Sequence, residues 1–237
     1  MKLMAIDCEM NQPSNKVIQI GAVIFDADTC TLIDSLRIYV DPHEPLSDEI
    51  IKLTRITQAQ VDGTAPISSA YRQLMCWAAK HKVFRNPVVW GSGEGNDSTA
   101  IYDQVCKEDP TFKDENFMGH RVIDVKTLCQ VRSIVQHGDV AGGLQVYLHR
   151  MGLRWDARFG EPHDALADAL NTMHSFAVYS AFFQELSYLE RYAQQSEKPD
   201  NKGKWQGVIS KLQDDADSLV KILNKLVGLK EHLKNQP

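Results

Sequence analysis

No run in this chain approaches 18 uninterrupted apolar residues, so no segment reads as a membrane span. No Cys-x-x-Cys pair occurs. The five cysteines, Cys8, Cys30, Cys76, Cys106 and Cys129, are scattered and odd in number. That usage fits reduced, mostly buried thiols and excludes a disulfide framework or a zinc ribbon. A basic excess is also missing: 26 Lys and Arg face 31 Asp and Glu, for a net charge of −5. A protein that holds nucleic acid by a strong global positive field is thereby excluded. A metal-dependent enzyme acting on nucleic acid is not, because bound cations reverse the sign of an acidic site. Internal repeats and low-complexity tracts are absent. Lys2 is followed by only four apolar residues before Asp7. No signal peptide is read there, and a cytoplasmic location is expected.

What is present is enough chain, 237 residues at 43% hydrophobic content, for one sizeable core with an appendage. Three apolar stretches, Met1 to Met10, Lys16 to Phe25 and Thr31 to Val40, are joined by short turns and predict an antiparallel meander. From Leu46 the spacing turns helical, most clearly at Ile67, Tyr71, Leu74, Met75 and Ala78, just after Pro66. PVVW (87–90) reads as a fourth strand, followed by the Gly-rich turn GSGEGND and a helix from Asp97 to about Lys107. RVIDV (121–125) reads as a fifth strand. Helices follow at 126–136 and 143–151, and a long one opens near His163 or Asp164. The expected fold class is α/β: a mixed sheet, an antiparallel meander of three strands plus two further strands, flanked by helices, with a C-terminal helical extension.

The expected domains are 1–195, a polar linker at 196–204, and a helix at 205–237. In that helix Trp205, Ile209, Leu212, Ala216, Leu219, Leu223, Leu226 and Leu233 fall on a heptad seam, with Lys230 in the one gap. An amphipathic helix folded back on its own domain explains this pattern as well as a homodimer or partner-protein helix does.

Chemistry concentrates in three places. In the first strand Asp7 and Glu9 alternate with Cys8, so both carboxylates share one face about 7 Å apart while Cys8 points to the core. A solvated strand end and a divalent-cation site both fit that pair. Asp97 stands at the start of a helix, where an acid also serves as a cap. In PHDALADALNT, His163 and Asp168 are five apart, about 140° round an ideal helix. They meet only if His163 lies outside the helix and reaches back, with Asp164 as N-cap. A capped helix with a surface histidine is the plainer alternative.

Asp7-Cys8-Glu9, Asp97, and His163 with Asp168, in this order on these elements, resemble the three motifs of the DEDDh family of 3′–5′ exonucleases, which have the ribonuclease H-like fold. VVWGSGEGND, LTRITQAQVDGTAPISSA and GLQVYLHRMGLRW are similar to the family's intervening segments, and the resemblance covers Met1 to about Leu186. Two departures stand out. Asn96 occupies a position that is often aromatic, which weakens the support of Asp97. Asp164 adds a competing acid beside His163.

The resemblance implies hydrolysis of phosphodiester bonds at single-stranded 3′ ends of DNA or RNA, releasing nucleoside 5′-monophosphates. Two Mg²⁺ (or Mn²⁺) ions would be held by Asp7, Glu9, Asp97 and Asp168. A carboxylate-rich site without soft ligands favours these ions over zinc. His163 would be the general base, because an imidazole exchanges protons near neutral pH. Cys8 and Met10 would bind substrate, the backbone there holding the 3′-hydroxyl and Met10 packing on the last base. The alternative is a catalytically idle subunit of the same fold that binds nucleic acid or adapts partners. Asp124 is read either as an acid supporting the site or as a helix cap. His120, His137, His149 and His174 have no metal-ligand spacing, and Trp90 is read as core. Lys16, Arg121, Lys126, Arg154 and Arg158 are candidate phosphate contacts, each with a solvated surface charge as the alternative.

Overall fold

The computed structural model describes residues 1–91, 96–140 and 142–195. The GSGEGND turn falls largely outside them, and the 196–204 linker and the 205–237 heptad helix lie wholly outside them. Residues Met1–Phe176 form one compact unit.

Three long strands, β1 (Lys2–Met10), β2 (Val17–Asp26) and β3 (Thr31–Tyr39), form the expected antiparallel meander. Helices α1 (Asp48–Thr54), α2 (Gln58–Val61) and α3 (Ile67–Lys80) follow. Then come β4 (Val88–Val89), α4 (Asp97–Glu108), a 3₁₀ turn at Pro110–Asp114, and β5 (Ile123–Asp124). Helices α5 (Val125–His137), α6 (Leu144–Arg150) and α7 (Ala165–Gln195) complete the described chain. The sheet order is β3-β2-β1-β4-β5, with β4 parallel to β1 and β5 parallel to β4. Both parallel strands are shorter than expected. Asp124 turns aside to accept the Thr127 N–H at 3.1 Å and caps α5, which ends β5 after two residues.

Alternation on β1 separates two layers. Met4, Ile6 and Cys8 belong to a core built with Ile20, Ala22 and Ile24 of β2. Ile67, Ala70, Tyr71, Leu74 and Ala78 of α3 and Ile101 and Val105 of α4 pack on it. The α3 residues repeat at spacings of three and four, which turns one stripe of the helix to the sheet. The odd residues of β1 and β2 face the other way. There Phe25 meets Phe176 edge-on, with ring centroids 5.5 Å apart. The sheet therefore lies between α3 and α4 on one face and the start of α7 on the other.

Candidate active site

The acids of β1 sit opposite two residues chosen for how closely α7 approaches. Asp7 pairs across the ladder with Gly21, and Glu9 with Gln19. A Cβ on Gly21 would lie 2.1 Å from the carbonyl carbon of Ala165 and from the amide nitrogen of Leu166. Only glycine lets the helix start rest there. Gln19 is fully buried, and its Oε1 accepts the Ala165 N–H at 2.7 Å. One strand further, Arg37 pairs with Gly21 in register and donates to Asp164 Oδ1 at 2.8 Å and to the Phe159 carbonyl. Two neighbouring strands, β2 and β3, thus hold the entrance to α7 over the β1 carboxylates. None of Gln19, Gly21 or Arg37 was expected from sequence. The available signals were a glutamine and a glycine inside an otherwise apolar strand.

The entrance is built as the five-residue spacing required. Asp164 caps α7 by accepting the Leu166 and Ala167 N–H groups at 3.1 and 3.3 Å. His163 lies just before it with φ 68°, outside the helix, and its backbone N–H donates to Asp168 Oδ2 at 3.0 Å. One ring nitrogen of His163 and one carboxylate oxygen from each of Glu9 and Asp168 fall within 4.8 Å of one another. The Arg37 guanidinium and the helix amides occupy Asp164 Oδ1.

Asp97 arrives from the other side of β1. Its own residue is not the cap: Asn96 is, accepting the Thr99 N–H at 3.2 Å and the Ser98 hydroxyl at 2.8 Å. Asn96 therefore supports the helix start instead of weakening it, and Asp97 is left as the first helical residue, free to face β1. Its Oδ1 accepts the Cys8 backbone N–H at 3.2 Å and the Cys8 thiol at 3.3 Å. Cys8 is buried among core residues, as its alternation with Asp7 predicts, yet its thiol reaches the site.

Electrostatically the cluster is unfinished. Burial, then Asp97, Asp168, Glu9 and Asp164, push the Asp7 carboxyl well above the usual carboxylate range. Burial followed by Asp168, Asp97 and Asp164 raises Glu9 to about 8. Asp168 rises to about 7, chiefly through burial, although the His163 N–H opposes the shift. Asp97 is raised by burial against the pull of the Cys8 donors. Among the described residues no Lys or Arg is a main perturber of these four. Four largely buried carboxylates that no described Lys or Arg pairs with fit hard divalent cations with oxygen ligands.

The remaining candidates divide. Met10, past a bulge in the β1–β2 ladder, is partly buried against the core, so only part of its side chain is open to a ligand. Asp124 takes the capping alternative. Trp90 is partly buried and stacks obliquely on Tyr147 at 5.6 Å between centroids. His174 is buried on Asp156 Oδ2 at 3.0 Å, while His120, His137 and His149 are exposed. Lys16 is held by Glu44 at 3.0 Å and Arg158 by Asp156 at 2.8 Å, which commits both internally.

Among the described residues no helix is long and apolar enough to cross a membrane. The nuclease domain of 3′hExo, described as a DEDDh family member bound to rAMP, has a similar structure. It is 22% identical with a TM-score of 0.61, over 78% of this chain and 92% of that one. Cell-death related nuclease 4 (CRN-4) is 18% identical, TM-score 0.59, over 74% and 62% of the two chains. E. coli exonuclease I with a 5cy-dT13 oligonucleotide is 14% identical, TM-score 0.54, over 87% and 45%. No curated protein sequence matches the chain. The RNase_T family model, described as exonuclease, matches residues 4–176, so the chain belongs to this exonuclease family.

Proposed function

We propose that this protein is a 3′–5′ exonuclease that hydrolyses phosphodiester bonds at the 3′ ends of single-stranded DNA or RNA and releases nucleoside 5′-monophosphates. The observation that carries this reading is the meeting of Asp7, Glu9, Asp97 and Asp168 at one end of β1, with His163 held outside α7 beside them. The four carboxylates would hold two Mg²⁺ or Mn²⁺ ions, which when bound supply charge stabilisation at the phosphate and a more acidic water. The chain's own residues do the rest. Cys8 aims Asp97 through two donors. Asp168 fixes the His163 backbone, so the imidazole stands at the open side of the cluster, where it takes the proton of the attacking water. The backbone of Cys8 and the side chain of Met10 receive the terminal nucleoside. Two proteins of the same fold hold rAMP and a dT13 oligonucleotide, ligands of this class. An idle binding subunit would have no use for five converging ionisable groups.

The test is digestion of single strands labelled at either end, as matched DNA and RNA oligomers, with Mg²⁺, with Mn²⁺ and with EDTA. Stepwise loss from the 3′ end with 5′-monophosphate products, abolished by EDTA, is expected. Undiminished activity in EDTA, or release of the 5′ label first, overturns the reading.

A further inference from the structure

At the opposite end of the parallel strands lies a cavity of about 560 Å³. Asp7 and Glu9 stand in the C-terminal half of β1, and Asp97 follows the C-terminal end of β4. The cavity is lined instead by residues that precede β4 and β5: Arg85 and Asn86 on one side, His120 and Arg121 on the other, with Lys113 and Asn116 between. Arg85, Lys113 and Arg121 carry fixed positive charge, and the single acid in the lining is Asp114.

Two features set this lining apart. Lys16, Arg37, Arg72, Arg150 and Arg158 each rest on a carboxylate within 3.3 Å, while other described cations, Arg55 and Lys82 among them, stand singly on the surface; here three unpaired cations line one cavity. Arg85, Lys113 and Arg121 have no ion pair or side-chain hydrogen bond with a described residue, so in a chain of net charge −5 they leave positive charge unspent at this one place. The walls are also fixed. The Arg85 and Asn86 N–H groups donate to the Phe117 and Met118 carbonyls at 2.9 and 3.0 Å. Phe112 and Met118 are buried beneath them. The Tyr102 hydroxyl ties down the Lys113 carbonyl at 2.6 Å, and Asn116 closes on both backbone groups of Gly119. Arg85 and Asn86 both keep left-handed backbone, φ 64° and 50°, which non-glycine residues adopt at a cost. Phe84, next to Arg85, is 54% exposed and offers an aromatic surface beside the charge.

We propose that this cavity is a second ligand site that binds phosphate groups of nucleotides, either in a free nucleoside monophosphate or in the backbone of a nucleic-acid strand. Its volume suits one nucleotide. Its guanidinium, ammonium and amide donors suit phosphate oxygens. It stands apart from the carboxylate cluster and needs no cation to hold an anion.

The experiment uses the full chain in EDTA, which separates this site from any dependence on metal. Amide chemical shifts are followed while AMP, a single-stranded oligonucleotide and inorganic phosphate are titrated in turn. Shifts concentrated at residues 85–86 and 113–121 are expected. Saturation by AMP identifies the free nucleotide as the source, and saturation only by the oligonucleotide identifies the strand. R85A/R121A is expected to weaken that binding about tenfold or more and, where the strand is the ligand, to lower the slope of log affinity on log salt by about 2, with partial recovery in R85K/R121K. Shifts that avoid these residues for all three probes overturn the proposal. So does a folded R85A/R121A chain with unchanged affinity and salt slope. The wild-type titration decides the matter should the double variant fail to fold.

Discussion

Cys8 is packed among apolar side chains, yet its thiol hydrogen and its backbone N–H both go to one oxygen of Asp97. Cys8→Ala removes the weaker donor and keeps the backbone one. A net loss of about 1 kcal/mol is expected, read as a few-fold fall in exonuclease rate, with Cys8→Ser closer to wild type. An unchanged rate in Cys8→Ala would show that the backbone N–H alone holds Asp97. His163→Ala is a different kind of change. If His163 is the general base proposed above, its removal costs about 10²–10⁴ in rate, and at saturating substrate kcat should carry that loss. The sequence turns Cys8 to the core but does not show its thiol reaching Asp97, and it lets His163 meet Asp168 only from a loop position, which the structure supplies. Gln19 and Gly21 could not be read in the sequence, because the helix start they receive is 146 residues away from Gln19. Gly21→Ala puts a methyl into the Ala165 backbone. The expected loss is about 3 kcal/mol of stability or a displaced α7, measured by urea unfolding alongside activity.

Helix positions follow from the 3.6-residue period, and α3, α4, α5 and α6 fall within two residues of expectation. What periodicity does not carry is the conformation of the loop before α7, which sets where His163 stands. That loop is pinned by Asp156. Arg158 pairs with it, His174 Nε2 lies 3.0 Å from its Oδ2, and Asn171 bonds both its N–H and its carbonyl. Burial alone would raise the Asp156 carboxyl, but hydrogen bonds from His174 and Arg158 hold it well below the usual range. A depressed folded-state value gives stability that is complete above the ordinary value of 3.8 and is lost as the pH falls below it. Asp156→Asn should therefore lower the melting temperature at pH 7. It should also flatten the fall in melting temperature between about pH 4 and pH 2. Parallel wild-type and variant curves across that window would show that the contact is not electrostatic. If the loop it pins sets His163, Asp156 would act on catalysis as a positioning residue. The same variant should lower kcat more than it changes KM, because His163 is loosened while the strand site stays in place.

For the molecule as a whole, the carboxylate cluster reverses that pH dependence. Glu9 and Asp168 are raised to about 8 and about 7 in the folded chain. Raised acids keep protons in the folded state that the unfolded chain has released. Their contribution is complete below the unfolded values near pH 4 and drains away as the pH rises through 7 and 8. Without metal, the fold should be less stable at pH 8.5 than at pH 5.5. Divalent cations held as proposed would take over the role of those protons, and would bind better as the carboxylates ionise. Adding Mg²⁺ or Mn²⁺ should thus raise the melting temperature more at pH 8.5 than at pH 5.5. At a hundredfold excess over Kd the stabilisation is about 2.7 kcal/mol. Asp7→Asn, which removes one member of the cluster and relieves its neighbours, should weaken both the pH trend in EDTA and the metal-dependent rise. A metal response of equal size at both pH values, or one that survives intact in Asp7→Asn, would mean that the ions bind somewhere other than between β1, α4 and α7.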